Sequence, residues 1–397
     1  MKKLNPITLG LAGLLLVSCD PSARRNNAEA GSSATEASGQ APTNETLGFV
    51  ISSWRDEIPR NVEGGCPEGL NVTEADHYKV DIRDFYKRAK EIGMDEASAE
   101  LYGGDACKDR SSQPDPGYRS FEGPTMIDGL DLDGKNSSKD IGEGCAHEDF
   151  VGPNGETGID NQHWRLMGCT LGYQPDGQMD RMWASGNFIK EGIPMLIEIT
   201  GVDDRRNDPE VEVRVMSSGD SVSVDSNGQV VPQLSMQEHS NARYHNTPTR
   251  GRIEDGILYT EPTDLWLRVK QQVIDVDFHY RDARIRAEVL PSGEIRGILG
   301  FYWDGDNFFD AMNNHTIGGR HSGRIGAHTR GYACAGMHYE LDRIMDGHPD
   351  PETGKCTSLS TMIHFAAVPA FVIPAAEEEE AEAPAQQTRR SLDQEQS

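Results

Sequence analysis

From Met195 onward the chain alternates apolar and polar side chains with a period of two, and that alternation leaves it little choice but sheet. Ile197 and Ile199 alternate with Glu198 and Thr200, and Val211, Val213 and Val215 with Glu212 and Arg214. Successive side chains of a strand point to opposite faces, so such segments read as strands with one buried face. Ile274, Val276, Phe278 and Tyr280 keep apolar residues on even numbers, whereas Ala283, Ile285, Ala287 and Val289 carry them on odd ones. The flip requires either a bulge or a tight turn at Arg281-Asp282, and a turn would bring Phe278 opposite Ile285. Pro291-Ser292-Gly293 leads into a further strand, Ile295 to Tyr302. Two helices are expected, Asp81 to Glu91 before Gly93 and Tyr332 to Met345 before Asp346-Gly347. Strands separated by Gly- and Asp-rich turns, without strand–helix alternation, predict a mainly β fold. An antiparallel β-sandwich or a barrel-like sheet would then carry a few short helices and disulfide-stapled loops.

The N-terminus carries a different signal. Lys2 and Lys3 precede an apolar run from Ile7 to Val17, and Leu16-Val17-Ser18-Cys19 closes it. The run is too short to span a bilayer and has the form of a secretory signal. Its end resembles the bacterial lipobox, which implies a signal peptide over 1–18 and lipidation, by palmitate or a related acyl chain, at Cys19. Residues 19–48 then read as the lipidated Cys and a flexible tether, and 375–397, with Glu377 to Glu380 in a row, as a disordered acidic tail. Between them lie a loop-rich part, 49–190, and a β-rich part with a C-terminal helix, 191–374. The net charge of −27 excludes a nucleic-acid groove, which needs a basic footprint.

Apart from Cys19 there are six cysteines: Cys66, Cys107, Cys145, Cys169, Cys334 and Cys356. In an oxidising compartment an even number implies disulfides, and no spacing here fits a zinc knuckle or a redox C-x-x-C. Proximity in sequence favours Cys334 with Cys356, leaving the other four to staple the N-terminal half.

The segment from Asp128 to Asn161 concentrates acidic residues among glycines. Asp131, Asp133, Asp149, Asp160 and Asn161 are candidate ligands for a structural Ca²⁺, since hard cations want several oxygens on a sharply turning backbone. The EF-hand spacing fails at Lys135, and the same residues also suit turns that hydrogen-bond their own backbone. Asp203, Asp204, Asn207 and Asp208 form a second acidic loop, and Asp304, Asp306 and Asp310 a third. Zn²⁺ is the weaker metal candidate, because H-E-x-x-H is absent. G-x-S-x-G, Walker and dinucleotide-binding patterns are absent as well.

Several stretches together carry a family likeness. They are Cys66-Pro67-Glu68-Gly69-Leu70-Asn71, Leu130-Asp131-Leu132-Asp133-Gly134, Glu148-Asp149-Phe150, Gly158-Ile159-Asp160-Asn161-Gln162, Gly168-Cys169 and Asp350-Pro351. Their order is similar to a group of uncharacterised secreted or lipid-anchored proteins of Gram-negative bacteria. The resemblance implies an envelope location, outer or inner membrane, facing the periplasm or exterior. It assigns no catalytic residue, and it leaves Cys356 outside the pattern.

Taken together, these features lead us to expect a lipid-anchored bacterial envelope protein acting as a binding or accessory subunit. It would hold the membrane through its anchor and work with another envelope protein. The alternative is a hydrolase of an exogenous ester or related substrate, metal-assisted, with His321 and His328 as its catalytic candidates.

Overall fold

The alternating segments form strands, and the sheet they build closes on itself. The computed structural model describes residues 44–59, 62–123, 126–186, 189–190, 192, 194–270, 275–313, 316–317, 320–321 and 323–375. All belong to one compact unit, Pro42–Ser397. The strands are β1 (Glu45–Asp56), β2 (Phe150–Val151), β3 (Thr157–Ile159), β4 (Met195–Val202), β5 (Asp208–Ser217), β6 (Leu234–Gln237), β7 (Thr249–Glu254) and β8 (Ile257–Thr260). They continue with β9 (Thr263–Lys270), β10 (Asp275–Val289), β11 (Ile295–Asp304), β12 (Thr316–Ile317), β13 (Arg320–His321), β14 (Gly347–Pro349) and β15 (Cys356–Ile373). β1 pairs antiparallel with β4 on one side and with β15 on the other. The order β1-β4-β5-β7-β8-β10-β11-β15 therefore returns to β1, an antiparallel barrel of eight strands. β9, β6 and β14 pair onto β10 and β15 beside the ring.

Closure removes the free edges that an open sheet would present. It also places one apolar row of each strand inside. Ile51, Ile197, Val213, Tyr280, Phe301 and Ile363 are among these buried side chains. Tyr280 stacks on Phe301 with ring centroids 3.7 Å apart.

The parity flip is a bulge. β10 runs unbroken through Arg281-Asp282, and its register slips between Arg281 and Arg284 against β11 and between Tyr280 and Ala283 against β9. Phe278 and Ile285 thus lie along one strand instead of facing each other. The extra residue restores the inward phase, and Asp282 takes a left-handed backbone with φ 50°.

Helices cover the ends and flank. α1 (Glu74–Tyr78), α2 (Ile82–Ile92) and α3 (Met94–Tyr102) pack Phe85, Ala89, Ala97 and Tyr102 into a small core of their own. Asp81 caps α2 by accepting from the Arg83 N–H, and Gly93, with φ 103°, ends it. α4 (Gln162–Met167), α5 (Gln178–Ser185), α6 (Gly305–Asn313), α7 (Gly323–Arg330) and α8 (Cys334–Ile344) complete the set among the described residues.

Two expectations need correction. The bridges are Cys66–Cys169, Cys107–Cys334 and Cys145–Cys356. Cys334 does not pair with Cys356, because α8 turns its first residue toward Cys107 while β15 begins beside Cys145. Two of the three bridges therefore tie the loop-rich part to the β-rich part. The two parts interlock through β1 as well, since the ring closes only with it. Glu45–Gly48, expected in the tether, are the first residues of β1. Cys19 and residues 376–397 lie outside the described residues.

Candidate functional site

Alternation on β15 organises everything outside the barrel near its closure. Leu359, Ile363 and Phe365 belong to the core, so Ser358, Ser360, Met362 and His364 face outward. Each outward residue meets a different device.

Ser360 meets the acidic segment. Its hydroxyl accepts from the Gln162 N–H at 2.9 Å, and its own N–H donates to Asp346 Oδ1 at 2.7 Å. Beside it, Leu130 and Leu132 pack on Ile298, Tyr302 and Met362, which pins the Asp128–Asn161 segment to the barrel wall. The carboxylates of Asp131, Asp133 and Asp160 converge so that one oxygen of each lies within 4.8 Å of the others. Asp131 Oδ1 accepts from the Gly134 N–H at 2.6 Å and Asp160 Oδ2 from the Leu132 N–H at 2.6 Å. Lys135, which breaks the EF-hand spacing, contributes backbone: its N–H donates to Asp133 Oδ1 at 2.8 Å. A Cβ on Gly158 would sit 2.4 Å from the Lys135 carbonyl oxygen and 3.1 Å from Asp131 Oδ2, so only glycine lets the strand come this close.

Crowded carboxylates out of water hold their protons. Burial, with the charges of Asp346, Asp133 and Asp149 adding, pushes Asp160 up to about 9. Burial pushes Asp346 up to about 7 and Asp149 up to about 6. Of the five residues expected to bind a cation, Asp131, Asp133 and Asp160 are brought together, with Asp149 close enough to act on them electrostatically. Asn161 is spent elsewhere: its Oδ1 caps α4 by accepting from the Trp164 N–H at 3.4 Å. Asp346 carries no such signal in the sequence, since it lies far downstream of the Asp128–Asn161 segment, just after α8. The donor set is all oxygen and fits Ca²⁺ rather than Zn²⁺.

The other two acidic loops are structural. Asp208 Oδ2 accepts from the Asp203 and Asp204 N–H groups within its own turn. Asp304 Oδ1 accepts from the Asn307 N–H at 2.9 Å, and Asp306 pairs with Arg110.

His364 meets a cleft of about 790 Å³ at the end of β1. Its Nε2 lies 2.7 Å from Glu57 Oε2. Arg55, Asp128 and Arg296 line the same cleft, and Asp128 Oδ1 holds Arg286 at 2.6 Å. Asp56 and Trp183 line both this cleft and a second cavity of about 60 Å³ inside the barrel end. That inner cavity is walled by Trp54, Tyr173, Phe278, Tyr280 and Trp303, with Met179, Met182 and Met312.

Asp56 is the polar residue at the junction. Burial pushes it up to about 7, although the Tyr173 hydroxyl donates to it and the charge of Arg330 pulls the other way. His163 Nδ1 lies 4.0 Å from Asp56 Oδ1. Burial drives His163 down to about 3, so its imidazole is neutral, and its Nε2 has no hydrogen-bond partner among the described residues. The sequence offered no signal for this group, because its members come from β1, α4, α7 and the turn between α4 and α5.

Ser358 completes the row. Its hydroxyl lies 2.6 Å from His348 Nδ1, and His348 Nε2 lies 3.0 Å from Asp282 Oδ2. This is the connectivity of a nucleophilic triad, but Ser358 has no exposed surface and is paired on both sides, with β11 and with β14. A substrate carbonyl has no approach to that hydroxyl, so the relay locks the bulge of β10 to β14 and β15.

The remaining candidates are dispersed. His328 lies on α7, with its Nδ1 buried and without a hydrogen-bond partner among the described residues. The backbone of His321 is in β13, and its side chain lies outside the described residues. Comparison with protein families, curated proteins and solved structures found no match for this chain.

Proposed function

We propose that this chain is a lipid-anchored bacterial envelope protein that acts as a binding subunit, with its ligand held where β1 leaves the barrel. One observation carries the reading. A cleft large enough for a small organic molecule lies beside an aromatic-lined cavity, and Asp56 and Trp183 line both. Concave sites with apolar walls and a few convergent polar groups are the usual form of a small-molecule site. The lipobox-like Cys19 supplies the anchor and the acidic segment a structural Ca²⁺. Another envelope protein remains the proposed partner. Among the described residues the ring has no free edge, and the strands beside it, β6, β9 and β14, offer edges for docking.

The test is a thermal-shift screen of the purified full-length chain against chemically diverse small molecules. Ligands that raise the melting temperature of the wild type and fail with Trp183→Ala support the reading. Turnover of generic ester substrates by the same material, lost on changing His321 or His328, would favour the hydrolase instead. Metabolic labelling with palmitate, absent in Cys19→Ser, tests the anchor.

A further inference from the structure

The charge arrangement in the cleft runs against the charge of the whole chain. The protein carries −27, yet two arginines face the cleft from opposite sides of β15. Arg55 on β1 stands opposite His364, and Arg296 on β11 stands opposite Ala366, two residues further along the same face. Neither guanidinium makes an ion pair or hydrogen bond with another described residue. The acidic groups around them are engaged: Glu57 with His364, Asp128 with Arg286, and Asp56 with the Tyr173 hydroxyl. Glu288 stands directly across from Arg296 on β10 and forms no ion pair with it.

Geometry lets the two arginines share one ligand. Neighbouring strands are about 4.8 Å apart, so β15 separates the two backbones by about 10 Å sideways. Two long side chains bridge that gap, and the floor between them is made of the small residues Ser53 and Ala366, which are cross-strand partners. A guanidinium recognises carboxylate and phosphate oxygens through its fork of N–H donors. Trp183 lines the same cleft and gives it an apolar wall.

Resting on the binding reading above, we propose that the ligand is an organic anion, a carboxylate or phosphate monoester bearing a compact apolar group. The anionic end sits between Arg55 and Arg296, and the apolar end packs against Trp183 in the cleft wall.

The experiment uses matched probes on the full-length chain: phenylacetate, phenyl phosphate, neutral phenylacetamide and cationic phenethylamine. Binding is read by calorimetry and by tryptophan fluorescence, with Trp183 in the cleft wall. The anions are expected to bind at least about tenfold more tightly than the amide. The Arg55→Gln/Arg296→Gln double variant, checked for an unchanged melting temperature, should lose that advantage while keeping the amide's affinity. Trp183→Ala should weaken all probes that bind. If the amide or amine binds as tightly as the acids, or the double variant keeps the preference, the inference is overturned and the binding reading stands. If none of the four binds at millimolar concentration, both fail.

Discussion

His348 Nε2 lies 3.0 Å from Asp282 Oδ2 although both residues hold left-handed backbone, with φ 52° and 50°. Non-glycine residues adopt that conformation at a cost and keep it where the surroundings over-determine them. Here the surroundings are the bulge of β10, the start of β15 and the Ser358 hydroxyl on the other ring nitrogen. Burial and the charge of Arg281 lower the His348 pKa despite Asp282. The neutral ring therefore donates from Nε2 to the carboxylate and accepts the Ser358 proton at Nδ1.

His348→Ala should leave the buried Ser358 hydroxyl unpaired and cost about 1–3 kcal/mol. The change is read by urea unfolding. Ser358→Ala in the same background should add little, because the two act as one unit. Additive losses would show the relay to be two independent contacts.

Calcium should raise the melting temperature, and a chelator should lower it. Asp133→Asn and Asp160→Asn should remove the calcium response, whereas Asp310→Asn should keep it. Gly158→Ala should remove it too, because a Cβ there collides with the Lys135 carbonyl oxygen.

Asp56 gives a pH dependence of known sign. Its pKa is about 7 in the folded protein and ordinary, about 4, in the unfolded chain. The folded state therefore binds the proton more tightly. That contribution to stability is full below pH 4, declines as pH rises, and is gone above pH 7. Asp56→Asn, which keeps an acceptor for the Tyr173 hydroxyl, should lose less stability between pH 4 and 8 than the wild type. Melting curves across that range decide it, and equal slopes would refute the assignment.

Peptide mapping without reduction should recover Cys107 linked to Cys334 and Cys145 linked to Cys356. Replacing either pair by serine should cost about 2–5 kcal/mol, because each bridge closes a long loop. A Cys334–Cys356 peptide would contradict the fold.

The alternating strands, the capped helix after Asp81 and the acidic Asp131–Asp160 segment are legible in the sequence because each depends on neighbours a few residues apart. The parity flip at Arg281-Asp282 announces a defect, but strand pairing decides that it is a bulge and not a turn. Partners for the cysteines follow from where α8 and β15 begin in space, which chain proximity misjudges. The same holds for Asp346 beside Asp160, and for Arg55 and Arg296 across β15. Such groups meet only when the sheet closes, since barrel closure brings together residues from opposite ends of the chain. Local pattern sets the strands and their buried faces; the ring's register selects which side chains share a site.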